Sequence, residues 1–86
     1  MSGEPVDVTA ADVWPDDADD VAEGVVANWF AREGKQVAEG ETICEIQVEK
    51  VSVDVPAPAA GELAEVLVGE NEEFARADAL ARIRSE

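Results

Sequence analysis

Histidine and tyrosine are absent from this 86-residue chain, cysteine occurs once, and lysine only twice, at Lys35 and Lys50. Without histidine there is neither a Ser-His-Asp arrangement nor a histidine metal site. The lone Cys44 has no internal disulfide partner and makes no thiolate cluster, which agrees with a reducing compartment. Six basic residues face 21 acidic ones, a formal net charge of −15. Phosphate backbones and anionic membrane surfaces are bound through clusters of Lys and Arg, so neither nucleic acid nor membrane is an expected partner. No apolar run approaches the roughly 18 residues of a spanning helix. No basic, apolar leader opens the chain, since residues 1–20 are acidic and polar. A cytoplasmic location is the default that follows. No Gly-rich phosphate loop is present, and the carboxylates need no explanation beyond an acidic surface. The expectation is a protein that is not itself a catalyst.

What is present is patterned for strands. Val, Ile and Ala dominate the apolar set, and Gly and Pro interrupt the chain too often for long helices. A single domain of this length buries only about 60% of its unfolded surface, so the core is small. Cys44, Ile46 and Val48 alternate with Glu45 and Gln47, and Val51, Val53 and Val55 alternate with Ser52 and Asp54. Two half-buried strands separated by two polar residues read as a β-hairpin with Glu49 and Lys50 at its tip. Turn positions ordinarily select Gly, Asn or Asp. A lysine at the most exposed point of a hairpin points to something attached there, against the plainer reading of a solvated turn lysine.

From Gly24 onward a shift of 37 residues aligns Gly24 with Gly61, Ala27 with Ala64, Glu33 with Glu70, Ala38 with Ala75 and Ile46 with Ile83. Apolar type matches at Val26/Leu63, Phe30/Leu67, Val37/Phe74 and Ile43/Leu80, and Gly34 pairs with Asn71, both tolerant of positive φ. Two similar halves of short strands predict two small antiparallel sheets facing each other across one core, an all-β flattened barrel or sandwich with quasi-twofold symmetry. Strands are expected near residues 24–31, 42–48, 51–56, 61–68 and 80–84, with short ones near 7–10 and after Lys35 and Glu72. Residues 1–7 read as a flexible tail and 8–86 as the domain. Asp16, Asp17, Asp19 and Asp20, opened by Pro15, read as a solvated acidic loop.

The residues around the tip resemble those of lipoyl domains of the biotinyl/lipoyl attachment family. The family pattern is an acidic residue, the modified lysine, then Ala or Val, and this chain has Glu49-Lys50-Val51. Glu33-Gly34, Val37, Gly40, Ile46, Val55-Pro56-Ala57-Pro58, Gly61 and the stretch from Glu23 to Phe30 extend the likeness over residues 8 to 84. The resemblance implies the flattened-barrel hammerhead fold and lipoate joined covalently to Lys50. It implies a monomeric carrier of acyl groups and reducing equivalents within a 2-oxo acid dehydrogenase-type complex. The implied partners are a lipoate ligase or lipoyl transferase, a thiamine-dependent decarboxylase, an acyltransferase and a dihydrolipoamide dehydrogenase. Gln47, Glu49 and Val51 are the positions implied for the turn and for recognition by the attaching enzyme, and Gly61 reads first as a tight backbone conformation, with recognition by that enzyme secondary. Two departures bear on that enzyme: Gln47 stands where a glutamate is common, and Glu49 where Asp is usual. Two alternatives stay open, a biotin carrier, whose lysine usually sits between methionines, and an unmodified interaction module of the same fold.

Other residues read as structure. Cys44 shares the inward face with Ile46 and Val48. Trp29 and Phe30 are adjacent and point to opposite faces of a regular strand, which predicts one in the core and one partly exposed. Trp14 is open to either reading. Pro56 and Pro58 are expected to end a strand.

Overall fold

A computed structural model of the chain describes residues 4–18 and 20–85. Eight strands follow in order: β1 (Pro5–Thr9), β2 (Glu23–Trp29), β3 (Gln36–Val37), β4 (Thr42–Val48), β5 (Val51–Pro56), β6 (Gly61–Val66), β7 (Glu73–Ala75) and β8 (Ala79–Ser85). Two 3-10 turns, Ala11–Val13 and Asp16–Ala18, occupy the loop after β1. One antiparallel sheet has the order β1-β8-β6-β3 and the other β5-β4-β2-β7. The expected all-β sandwich is therefore what forms, with β4 and β5 at their predicted limits.

The 37-residue repeat is structural. It carries β2 onto β6, β3 onto β7 and β4 onto β8, and β5 corresponds to β1 as the partner of the equivalent strand. The irregularities repeat too: the β2–β4 register shifts between Val26 and Asn28, and the β6–β8 register between Leu63 and Glu65. So do loop hydrogen bonds. Gly34 N–H donates to the Leu63 carbonyl at 2.7 Å, and Asn71 N–H to the Val26 carbonyl at 2.7 Å. Both turn residues have positive φ, 92° at Gly34 and 70° at Asn71, as their shared role requires. The short strands are exchanged: β3 of the first half joins the sheet of the second, and β7 the reverse.

The core lies between the sheets. Val26, Ile43, Cys44, Ile46, Val48 and Val55 contribute from one, and Val8, Val37, Leu63, Leu80 and Ile83 from the other. Trp14 also enters it: its indole N–H donates to the carbonyls of Ala18 and Val21 at 3.0 and 3.2 Å, and its ring meets Phe74 edge-on at 6.2 Å. That anchor folds the acidic loop back onto the domain. Asp16 and Asp20 remain exposed within it, while Asp19 lies outside the described residues. Trp29 is half-buried against the core, short of the full burial expected of one of the pair, and donates its indole N–H to the Val68 carbonyl at 2.8 Å, while Phe30 is 57% exposed.

One boundary is corrected. Pro5, Val6 and Asp7 belong to β1, paired with Arg84, Ile83 and Arg82 of β8, and not to a loose tail. An edge strand of five residues needs few inward side chains, and Val8, 1% exposed, supplies the deepest, so the polar composition around it concealed where the strand begins. Residues 1–3 lie outside the described residues.

Candidate functional site

Lys50 sits with Glu49 in the two-residue turn between β4 and β5, and Val48 and Val51 close the hairpin. Inward-facing Val48, Ile46 and Cys44 pin β4 to the core, all 0% exposed, so the turn projects from a rigid stem. Lys50 is exposed, and its ammonium has no ion-pair or hydrogen-bond partner among the described residues. Lys35, by contrast, is held by Glu41 at 2.8 Å. Glu49 has φ 58°, a left-handed conformation that β-carbon-bearing residues other than Asn and Asp seldom adopt. The usual Asp of this position in the family pattern meets that geometry at less cost than Glu.

Around the turn, Val51 is 40% exposed and Gln47 lies exposed on the outer face of β4. An open groove of about 310 Å³ runs beside the tip, lined by Glu23, Gly24, Gln47, Glu49 and Glu73 among others. The structure thus brings Gln47, Glu49, Lys50 and Val51 together. Gly61 is not with them. It lies in the other sheet, paired with Ser85 and Val37, and a β-carbon there would stand 2.1 Å from the Arg84 carbonyl oxygen. Its φ of 157° and that close approach are a backbone requirement, the tight conformation that its first reading expects. The glycine beside the hairpin is its repeat-mate Gly24, whose β-carbon would meet the Phe74 ring at 3.0 Å and the Gln47 carbonyl at 3.1 Å. The 37-residue alignment paired the two glycines and held that information.

Cys44 takes no part in the exposed chemistry. It is fully buried, and burial pushes its thiol up to about 12. A thiol so placed is neither a nucleophile nor an exchange partner for an external disulfide.

Residues 13–83 match the sequence model of the biotin/lipoyl family described as "Biotin-requiring enzyme". The chain belongs to the biotinyl/lipoyl family. Its relatives include the dihydrolipoyllysine-residue succinyltransferase component of the 2-oxoglutarate dehydrogenase complex of Cupriavidus necator, 33% identical over 72 residues. That match covers 84% of this chain and 17% of the relative. The dihydrolipoyllysine-residue acetyltransferase component of the pyruvate dehydrogenase complex of Staphylococcus epidermidis is 32% identical over 69 residues, 80% of this chain and 16% of that protein. This chain therefore spans about a sixth of the length of those curated relatives. The solution structure of the lipoyl domain of the 2-oxoglutarate dehydrogenase complex from Azotobacter vinelandii superposes with a TM-score of 0.67, at 26% identity and 92% coverage of both chains. Family and fold agree on a lipoyl-type carrier domain. Among the described residues of this lipoyl-type domain, no helix is long and apolar enough to cross a membrane.

Proposed function

We propose that this lipoyl-type domain carries lipoate in amide linkage to Lys50 and shuttles acyl groups and reducing equivalents between components of a 2-oxo acid dehydrogenase-type complex. The observation that carries this reading is the position of Lys50, an unpartnered, exposed amine at the apex of a stem anchored in the core. Attachment forms one amide bond between Nζ and an activated lipoate carboxyl. The activating group leaves, and the ammonium gives up two protons and its charge. Among the described residues the ammonium holds no salt bridge that acylation would break.

When bound, lipoate supplies a thiol–disulfide pair able to accept an acyl group and two electrons. The chain's own residues present it. Val48 and Ile46 keep the stem from moving, Glu49 fixes the turn, and Cys44 is buried away from any mixed disulfide. In this reading the acyl-donating and acyl-accepting enzymes supply the catalysis, and the one thiol of the chain stays buried. The names of the relatives point to pyruvate and 2-oxoglutarate dehydrogenase complexes as the setting. The partners are then a lipoate-attaching enzyme, a thiamine-dependent decarboxylase, an acyltransferase and a dihydrolipoamide dehydrogenase, visited by a monomeric carrier in the cytoplasm.

Mass spectrometry of the chain isolated from its host tests this. A lipoyl mass on the Lys50 peptide that gains two hydrogens on reduction is the expected result. A biotinyl mass would transfer the function to carboxyl carriage, and an unmodified Lys50 in lipoylating cells would overturn the carrier reading. Lys50→Ala should abolish acyl transfer while leaving the melting temperature unchanged.

A further inference from the structure

The two halves of the domain differ most, in chemistry, along their equivalent outer strands. In the hairpin, only Val48 and Val51 can exchange both backbone bonds across a two-residue turn. Alternation then bonds Ile46 to Val53 and Cys44 to Val55. The N–H and C=O groups of Ser52 and Asp54 therefore face away from β4, along the outer edge of the sheet, where both residues are exposed. No backbone or side-chain group among the described residues bonds to them. The equivalent edge belongs to β1. There Ser85 N–H donates to the Glu4 carbonyl at 3.0 Å, which leaves Pro5 and Asp7 facing outward. Asp7 matches Asp54, but Pro5 stands in place of Ser52 and has no N–H to offer. Proline on an outer strand is a common means of blocking the addition of another strand. The edge beside Lys50 lacks that block. The remaining outer strands, β3 and β7, are two and three residues long, too short to accept one.

Charge distinguishes the same two strands. Across β1–β8, Asp7 faces Arg82, whose guanidinium lies 3.3 Å from Asp7 and 3.3 Å from Glu65. Across β4–β5, Asp54 faces Glu45, and the position matching Glu65 is Asn28, which donates to Glu45 at 3.2 Å. Like charges directly opposite on neighbouring strands repel. The second half places a cation between its carboxylates, and the first half has a carboxylate, Glu45, at that place on the strand that leads to Lys50.

We propose that the outer edge of β5 is the docking strand for an extended, arginine- or lysine-bearing segment of the enzyme that acylates Lys50. That segment pairs with Ser52 and Asp54 as an added strand of the sheet, and its basic side chain lies beside Asp54 and reaches across it towards Glu45. This rests on the lipoyl-carrier reading and specifies its first partner. An attaching enzyme must hold the lysine amine itself, with a reach of one side chain, so its contact has to lie within a few residues of Lys50. Ser52 is two residues away. Enzymes that meet the far end of a finished arm have no such constraint. Main-chain pairing supplies affinity that depends little on sequence, and the facing carboxylates select the charge of the added strand.

The test uses a lipoate–protein ligase that acylates this chain from lipoate and ATP. Ser52→Pro copies Pro5 and touches no bond to β4, and Glu45→Arg copies Arg82, so both variants should melt at or above the temperature of the unaltered chain. Acylation kcat/KM should fall at least tenfold in Ser52→Pro and several-fold in Glu45→Arg, while Pro5→Ser on the opposite strand changes nothing. In the complex of the ligase with Lys50→Ala, amide exchange should slow at Ser52 and Asp54. Wild-type acylation rates in both hairpin-side variants would overturn the docking strand and leave the carrier reading standing. A chain that no lipoate ligase modifies would remove both.

Discussion

At single positions the backbone sets the tightest demands. Glu49 occupies φ 58° with a side chain that has no compensating hydrogen bond among the described residues. Asn tolerates that region better, so Glu49→Asn should raise stability by about 0.5 kcal/mol and the melting temperature by about 2–4 °C. Thermal unfolding followed by circular dichroism reads this directly, and a lower melting temperature would show that the turn does not hold that conformation in solution. Cys44 makes the second demand. Burial raises its thiol from an ordinary 9.0 to about 12, so between those values the unfolded chain loses the proton first. The stabilisation is complete below pH 9.0 and declines as pH rises towards 12. Comparing unfolding of the parent chain and Cys44→Ala across that window should show the steeper decline in the parent. At pH 8 a thiol reagent should label Cys44 only as fast as the domain opens, and immediate labelling without denaturant would contradict its burial.

Elements are joined by reciprocal bonds that the repeat generates. Glu70 accepts from the Trp29 backbone N–H at 2.9 Å, and Glu33 accepts from Val66 N–H at 2.8 Å. The same two loops are tied a third time by the Trp29 indole on Val68. Each carboxylate satisfies a backbone donor freed where β2 or β6 ends, a bond to a charged acceptor that adds about 1 kcal/mol at an exposed site. Glu33→Ala and Glu70→Ala should each lower the melting temperature by about 4–8 °C. The double variant should lose less than the sum, since each bond holds the loops in place for the other. Strict additivity in a double-mutant cycle would show the two loops to be independent. A similar repetition holds at Glu41 and Asp78, which accept from Ala38 and Ala75 at 2.9 Å each. Lys35, followed by the Ala38 N–H, holds the Glu41 carboxyl below its usual range. The stability that carboxylate adds is present above the ordinary glutamate value and fades as pH falls through its own lowered one.

This is also the scale at which the sequence was most and least informative. The alternation from Cys44 to Val55 identified the hairpin to the residue, because both strands have one wholly apolar face. The match of Gly34 with Asn71 identified equivalent turns, because each needs a left-handed residue. The start of β1 falls two residues before the expected one because an edge strand shows only one row of side chains to the core. The exchange of β3 and β7 between sheets leaves no local mark, since strands of two and three residues carry no period. Trp14 is open to either reading in the sequence because its burial depends on carbonyls of Ala18 and Val21 that only the folded loop brings to its indole. Gly61 is legible as a tight backbone position, but the reason, a 2.1 Å approach to Arg84, is a contact between strands far apart in sequence.

For the molecule as a whole, the dominant quantity is charge. A net −15 is spread over a body of 40 × 20 × 17 Å, so most carboxylates lie within a Debye length of several others at low salt. Among the described residues, Asp7, Glu65 and Glu41 have cations within 3.3 Å, and Glu45 and Asp54 face each other without one. Unfolding separates these charges, so their repulsion subtracts from the stability of the compact state. Screening should restore it. Raising KCl from 0.1 to 1 M shortens the Debye length from about 10 to about 3 Å. Recovery of about 1 kcal/mol would lift the melting temperature by about 4–8 °C in a domain of this size. Salts also strengthen apolar burial, so the rise alone does not identify its cause. Acidity separates the two: protonating part of the carboxylates near pH 4 removes the repulsion but leaves the apolar core as it was. The melting temperature should therefore depend much less on KCl at pH 4 than at pH 7. An equal dependence at both would assign the effect to the core and show the acidic surface to be no burden on the fold.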